Sequence, residues 1–185
     1  MNIKVVNLRK VLKEGSRLLG VCQIIVNDVF VINDVKIIEG PSGKFIAMPS
    51  QKVGEKYIDL AHPINIETRN LMQEVVLSAF DEISNTLGEK DELEVTKIKL
   101  NYLPNATGPV AIVIFELNNC IACHRLLIVK ELNEDGSSKF KFVLPYKEDE
   151  EGNRKSMYFF ESREFLDKLF GAIFDEYKKG LNNNN

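Results

Sequence analysis

Met72, Val75, Val76, Ala79, Phe80 and Ile83 recur at spacings of three and four residues, which is one face of an α-helix. Adding 94 to each number gives Leu166, Leu169, Phe170, Ile173, Phe174 and Tyr177, apolar or aromatic without exception. The flanking words agree: Glu67-Thr68-Arg69 with Glu161-Ser162-Arg163, and Phe80-Asp81-Glu82 with Phe174-Asp175-Glu176. A repeat of this length means two like units, each carrying one helix. Asn65 or Thr68 is placed to cap the first helix and Ser162 the second, because their side-chain oxygens satisfy free backbone N–H groups. Gly88 and Gly180 follow the two stripes, where a left-handed C-terminal residue would sit.

Upstream of each stripe the pattern is β. The run Val21 to Val26 ends at Asn27-Asp28, and Val29-Phe30-Val31-Ile32 follows. Val110 to Leu117 ends at Asn118-Asn119, followed by Cys120-Ile121-Ala122-Cys123. Two Asn or Asp residues between apolar runs predict a tight type I′ hairpin, whose central residues both need positive φ. The hairpins lie 91 residues apart (118 − 27), and the slip of three against the helices falls in loops. Later strands end in Ala47-Met48-Pro49 and Val143-Leu144-Pro145. Gly40-Pro41-Ser42-Gly43 reads as a hairpin turn and not a phosphate loop, since no Gly-Lys-Ser/Thr ending follows.

Strands followed by one helix, twice over, predict an α+β fold of two repeats. The expected domains are residues 1–87 and a diverged second copy, 92–180, joined by a polar linker from Ser84 to Glu92. The Asn-rich tail, 181–185, is expected to fray. So short a linker holds each half near the other at an effective concentration of about millimolar. An intrachain pseudo-dimer is the expected assembly.

The net charge of −3 excludes binding through bulk positive charge, though not a local basic patch. Residues 1–90 hold 11 basic and 11 acidic groups, and 91–185 hold 13 and 16, so neither half is a basic module. Cys22, Cys120 and Cys123 are too few, and odd in number, for a disulfide framework. Apolar runs break well before the roughly 18 residues of a membrane span, and Met1-Asn2-Ile3-Lys4 opens no signal-peptide core. A cytoplasmic location without membrane contact is expected.

Cys120-Ile121-Ala122-Cys123-His124 carries the haem c attachment spacing, with two thiols for thioether links and an axial histidine. In a strand, however, residues three apart face opposite sides, so the two thiols would diverge. Zinc meets the same obstacle and would need Cys22 or His62 from the other half. No metal or cofactor is expected; the thiols read as small sheet residues. His62, before Pro63, invites a role as general base. No hydroxyl or thiol nucleophile pairs with it in the sequence, and the helix register sets Ser156 at its place in the second half. It reads as a loop residue bonded to the turn while Pro63 steers the chain into the helix. No catalytic residue is assigned and the chain is not expected to be an enzyme. Phe140 and Phe142 alternate with Lys139 and Lys141, which suits a base-stacking platform but suits packing against the helix better.

Three separated words carry a resemblance: Val29-Phe30-Val31-Ile32-Asn33-Asp34-Val35-Lys36-Ile37-Ile38-Glu39-Gly40; Gly43-Lys44-Phe45-Ile46-Ala47-Met48-Pro49-Ser50; and Asp59-Leu60-Ala61-His62-Pro63-Ile64-Asn65 with Thr68-Arg69. Residues 2–85 resemble the stage V sporulation protein G (SpoVG) family, the septation regulators. The second half keeps the architecture and has lost the words. The resemblance implies a homodimer-forming fold and a non-enzymatic regulator of gene expression, cell division or sporulation that binds DNA or RNA, here with both protomers fused. Its expected nucleic-acid contacts are Lys52 and Lys56 in the loop after Met48-Pro49-Ser50, Arg69 at the start of the first helix and Arg163 at the matching place in the second. Only Arg163 and the late lysines Lys178 and Lys179 remain in the second half, because Glu148-Asp149-Glu150-Glu151 occupies its loop. That acid run favours the alternative, a protein-interaction or scaffold module that keeps the fold without binding nucleic acid. Association beyond the intrachain pair is left open.

Overall fold

The computed structural model describes residues 1–83, 86–89 and 91–183, the last two by backbone alone. The first half runs β1 (Ile3–Lys10), β2 (Leu18–Val26), β3 (Phe30–Gly40), β4 (Gly43–Ala47), β5 (Ser50–Val53), β6 (Lys56–Asp59), β7 (Ala61–Pro63), α1 (Ile66–Phe80) and β8 (Thr86–Leu87). The second runs β9 (Val95–Tyr102), β10 (Gly108–Leu117), β11 (Ile121–Leu132), β12 (Ser138–Val143), β13 (Tyr146–Glu148), β14 (Arg154–Ser156), β15 (Tyr158–Phe160) and α2 (Arg163–Asn183). The architecture is α+β, with antiparallel sheets and one helix in each half. No helix among the described residues is long and apolar enough to cross a membrane.

Both predicted hairpins form. Asn27 and Asp28 have φ of 52° and 58°, and Asn118 and Asn119 have 48° and 52°, the left-handed pair that a type I′ turn requires. Gly40 pairs with Gly43 across the turn that joins β3 to β4. A β-bulge follows each hairpin. Cys22 faces Val35 and Ile24 faces Ile32, so Asn33 and Asp34 share one opposing residue. Val113 faces Leu126 and Phe115 faces Cys123, so His124 and Arg125 do the same. The second residue of each bulge is left-handed, Asp34 at φ 56° and Arg125 at φ 64°.

The two halves exchange short strands. β7 adds to the second-half sheet, where Ala61, His62 and Pro63 face Cys123, Ala122 and Ile121. β15 adds to the first-half sheet, where Tyr158, Phe159 and Phe160 face Ile32, Val31 and Phe30. The entry to each strand is bonded alike: Leu60 N donates to Pro49 O and Met157 N to Pro145 O, both at 2.8 Å. Each helix then returns to its own half, α1 onto β1 and β4 and α2 onto β9. One continuous core joins them, in which Phe30, Phe115, Tyr158 and Phe160 meet at ring distances of 4.9–6.5 Å.

The helix register corrects the sequence reading. Asn65 caps α1, its Oδ1 accepting from Thr68 N at 2.8 Å, and Ser162 Oγ accepts from Phe165 N at 3.2 Å at the start of α2. The halves therefore align here at 97 (162 − 65), not 94. Met72 matches Leu169 and Val76 matches Ile173, all four fully buried. A stripe spaced by three and four nearly superposes on itself when slid by three, so periodicity alone cannot choose the turn; the cap does. Arg163 accordingly matches Ile66, Arg69 matches Leu166, and the counterpart of His62 is Phe159, not Ser156.

The helix ends differ too. α1 stops at Phe80 and its left-handed residue is Glu82 (φ 64°), which leaves Ile83 off the helix and 78% exposed. Gly88 is left-handed but lies beyond β8. α2 continues through Gly180 to Asn183, so Gly180 is no cap and the tail is helical that far; Asn184 and Asn185 lie outside the described residues. A Cβ at Gly180 would stand 1.8 Å from Tyr102 Oη, so this glycine permits close packing of α2 on β9. Of the expected linker, Ser84, Asn85 and Lys90 lie outside the described residues, while Thr86 and Leu87 pair with Lys4 and Ile3. Phe140 and Phe142 pack on α2, the latter stacked on Phe170 at 4.4 Å, in agreement with the core reading.

Candidate nucleic-acid interface and the seam between the halves

Lys52 and Lys56 lie exposed on the two strands of the β5–β6 hairpin, paired with Tyr57 and Val53. Arg69 is exposed in the first turns of α1, close enough to His62 for its charge to act there. Arg163 is exposed at the first residue of α2. Glu67 and Glu164 occupy the first turns of these helices, so carboxylates already meet the positive helix ends. Of the four sequence candidates Lys52 lines a groove of about 550 Å³ where the first-half hairpin meets the second-half sheet. Arg125 and Lys147 line the same groove. Sequence reasoning missed Arg125. The hairpin offset of 91 places it opposite Asp34, but a bulge is a property of paired strands and left no readable mark.

The second hairpin, β13–β14, is the acidic counterpart of the first. Its turn carries Asp149, whose carboxylate accepts from Asn153 N at 2.8 Å and from Glu151 N at 3.0 Å. The first hairpin instead exposes apolar groups, with Tyr57 72%, Val53 38% and Ile58 36% accessible.

The exchange of strands brings His62 and His124 together from opposite halves. Their rings stack at 5.2 Å with planes 19° apart. His62 Nδ1 and His124 Nε2 are buried and find no hydrogen-bond partner among the described residues. His124 N donates to Leu60 O at 2.7 Å, and Tyr158 Oη donates to His124 O at 3.0 Å. Burial holds both imidazoles below their ordinary pKa; Asp59 opposes this in each, while Arg69 adds to it at His62 and the neighbouring imidazole adds to it at His124. Cys123 is fully buried and its thiol pushed well up by desolvation, so no thiolate stands beside the pair. Among the described residues no group of three His, Cys, Asp or Glu side chains is arranged to hold a metal ion. The Cys-x-x-Cys-His spacing is divided by the fold: Cys120 closes the hairpin with Sγ donating to Leu117 O, Cys123 points into the core, and His124 belongs to the seam.

One further contact was invisible in the sequence. Asp91 sits between the two hairpin turns: Asn27 Nδ2 donates to one carboxylate oxygen at 2.5 Å, and Asn118 Nδ2 to the other at 3.3 Å. The N-terminal ammonium lies 3.5 Å away. Burial works against the Asp91 charge, but these bonds and the ammonium hold its carboxyl below the ordinary range.

Known proteins resemble the half that carries the family words. The family profile described as SpoVG matches residues 1–82. A septation protein SpoVG of Lachnospira eligens is 49% identical over 82 residues, 44% of this chain and 92% of that protein. Those of Phytoplasma australiense and Clostridioides difficile are 45% and 46% identical over 96 and 83 residues, covering 99% and 89% of their own lengths. The chain is about twice as long as these relatives, and its second half repeats the strand order, hairpins, bulge and capped helix of the first. With nearly the whole of each relative aligned at such identity, the chain belongs to the SpoVG family.

Proposed function

We propose that the chain is a non-enzymatic, nucleic-acid-binding regulator acting in the cytoplasm, in which the two halves stand as the two subunits of a fused pseudo-dimer. The observation that carries the pairing is the reciprocal exchange of β7 and β15, each completing the sheet of the other half. Family membership and the cationic groove at the resulting seam support nucleic acid as partner. The chain is nearly balanced in charge, so binding would rest on a few phosphate contacts and fall steeply with salt. Fluorescence anisotropy against labelled duplex DNA, single-stranded DNA and RNA, at about 50 and 200 mM salt, tests this. Micromolar binding that weakens with salt is expected; no binding to any pool at the lower salt rejects it.

A second reading, a protein-interaction module, draws on the exposed Val53, Tyr57 and Ile58 of the first hairpin and on the acidic turn of the second. It gains ground only if nucleic acid fails to bind.

A further inference from the structure

The two bulges occupy matching places, yet their charges meet opposite fates. Asp34, left-handed in the first half, accepts from Lys155 at 3.1 Å, so its charge is met by a salt bridge. Lys155 faces Lys147 across its hairpin. The matching residue of the first hairpin is Ile58, which faces Gln51. An isoleucine has no charge to offer, so Arg125 forms no ion pair among the described residues. A backbone φ of 64° at a residue other than glycine costs energy, and such strain persists where surrounding structure imposes it.

Arg125 lines the groove of about 550 Å³, a volume ordinary for a small-molecule site. The groove also holds the first-half Lys52 and the second-half Lys147. Its one carboxylate, Glu148, is engaged by Arg154 Nε at 2.8 Å. The apolar lining includes Leu60, Leu127, Pro145 and Met157. Three cations around a concave apolar surface recognise an anion joined to a flat or apolar body. A planar guanidinium suits the paired oxygens of a phosphate.

We propose that this groove binds one nucleoside phosphate, with the phosphate on Arg125 flanked by Lys52 and Lys147 and the base on the apolar lining. The ligand is either a free nucleotide or a nucleotide splayed out of a single strand; a stacked duplex cannot insert a base there. As a nucleic-acid contact the site deepens the function proposed above and rests on it; as a nucleotide site it stands alone. At the matching corner Lys155 is already engaged by Asp34, whose carboxylate would repel a phosphate.

The test compares the full chain with Arg125→Gln, Arg125→Gly and, as a control at an exposed lysine outside the groove, Lys13→Gln. Probes are 5′-nucleoside monophosphates and inorganic phosphate by calorimetry, and labelled single-stranded and duplex oligonucleotides by anisotropy. Both Arg125 variants should weaken single-strand or mononucleotide binding about tenfold or more, while Lys13→Gln leaves mononucleotide binding unchanged. Arg125→Gly relieves the left-handed strain, so its Tm should not fall, which separates lost recognition from lost folding. Mononucleotide binding that depends on Arg125, with no oligonucleotide bound, supports the groove with a free nucleotide as its ligand and rejects the nucleic-acid function. Oligonucleotide binding that is unchanged in both variants, with no mononucleotide bound, overturns the groove and leaves that function standing. No binding of any probe overturns both. Inorganic phosphate binding as tightly as mononucleotides overturns recognition of the base.

Discussion

His62 and His124 face each other across the junction of the two halves with their rings 5.2 Å apart, although 62 residues separate them in the chain. Each is contributed by one of two strands that pair only because β7 has crossed into the second-half sheet. Two half-buried imidazoles at this distance, each with one ring nitrogen shielded and unpartnered among the described residues, tolerate the neutral form and resist protonation.

The pair therefore makes stability depend on pH. Both pKa values lie below the ordinary 6.5, so between the lowered folded values and 6.5 the unfolded chain binds more protons than the folded one. Stability is complete above about 6.5 and declines as pH falls from there through the folded values. Thermal melts from pH 7.5 to 5 should show Tm dropping in the wild type, and a flatter profile in the His62→Gln, His124→Gln double variant. Identical profiles in the two would refute this role for the pair.

Strand exchange makes each half incomplete alone. Fragments 1–90 and 91–185, mixed at high micromolar concentration, are expected to form a one-to-one complex in sedimentation equilibrium. Two folded, non-associating monomers would sink the pseudo-dimer reading.

Asp91 joins the two hairpin turns through Asn27 and Asn118. Its carboxylate is partly exposed, so Asp91→Ala should cost only about 1 kcal/mol, read as a Tm loss of roughly 2–4 °C. The Asp91 pKa is depressed, so this contribution is present above the ordinary carboxylate range near 3.8 and disappears as pH falls through the lower folded value. A melt of the variant indistinguishable from wild type at neutral pH would remove the clip from the account.

The cysteines should be inert in the folded chain. Burial pushes the Cys22 thiol up to about 12 and the Cys123 thiol well above its usual range. Cys120 is raised as well, first by desolvation. Maleimide labelling at pH 7.5 is expected to modify none of the three until denaturant is added, and all three afterwards. Fast native labelling at Cys123 would contradict the buried sheet position.

Leu169 and Met72 hold matching, fully buried places on α2 and α1. Replacing either with Ala should cost about 2–5 kcal/mol in urea denaturation. The exposed Ile83→Ala, which the helical stripe would rank with them, should cost less than about 0.5 kcal/mol. Equal losses at Ile83 and Leu169 would restore the longer helix.

Local chemistry determined much of this chain. Asn27-Asp28 and Asn118-Asn119 wrote their hairpins directly, because few residues accept positive φ twice in succession. The alternation of β2 and β10 and the stripes of α1 and α2 declared the elements, and the words around Asp34, Ala47 and His62 declared the family. The register between the halves was less legible, since a helical stripe almost matches itself after a slip of three. Asn65 and Ser162 settled it by which backbone N–H each bonds. What the tertiary structure alone decided lies between strands distant in sequence: the crossing of β7 and β15, the meeting of His62 with His124, the clasp of Asp91 and the bulge that sets Arg125 over a groove shared by both halves. Those depend on which edge of which sheet a three-residue strand completes, and so short a segment carries too little pattern to name its partner.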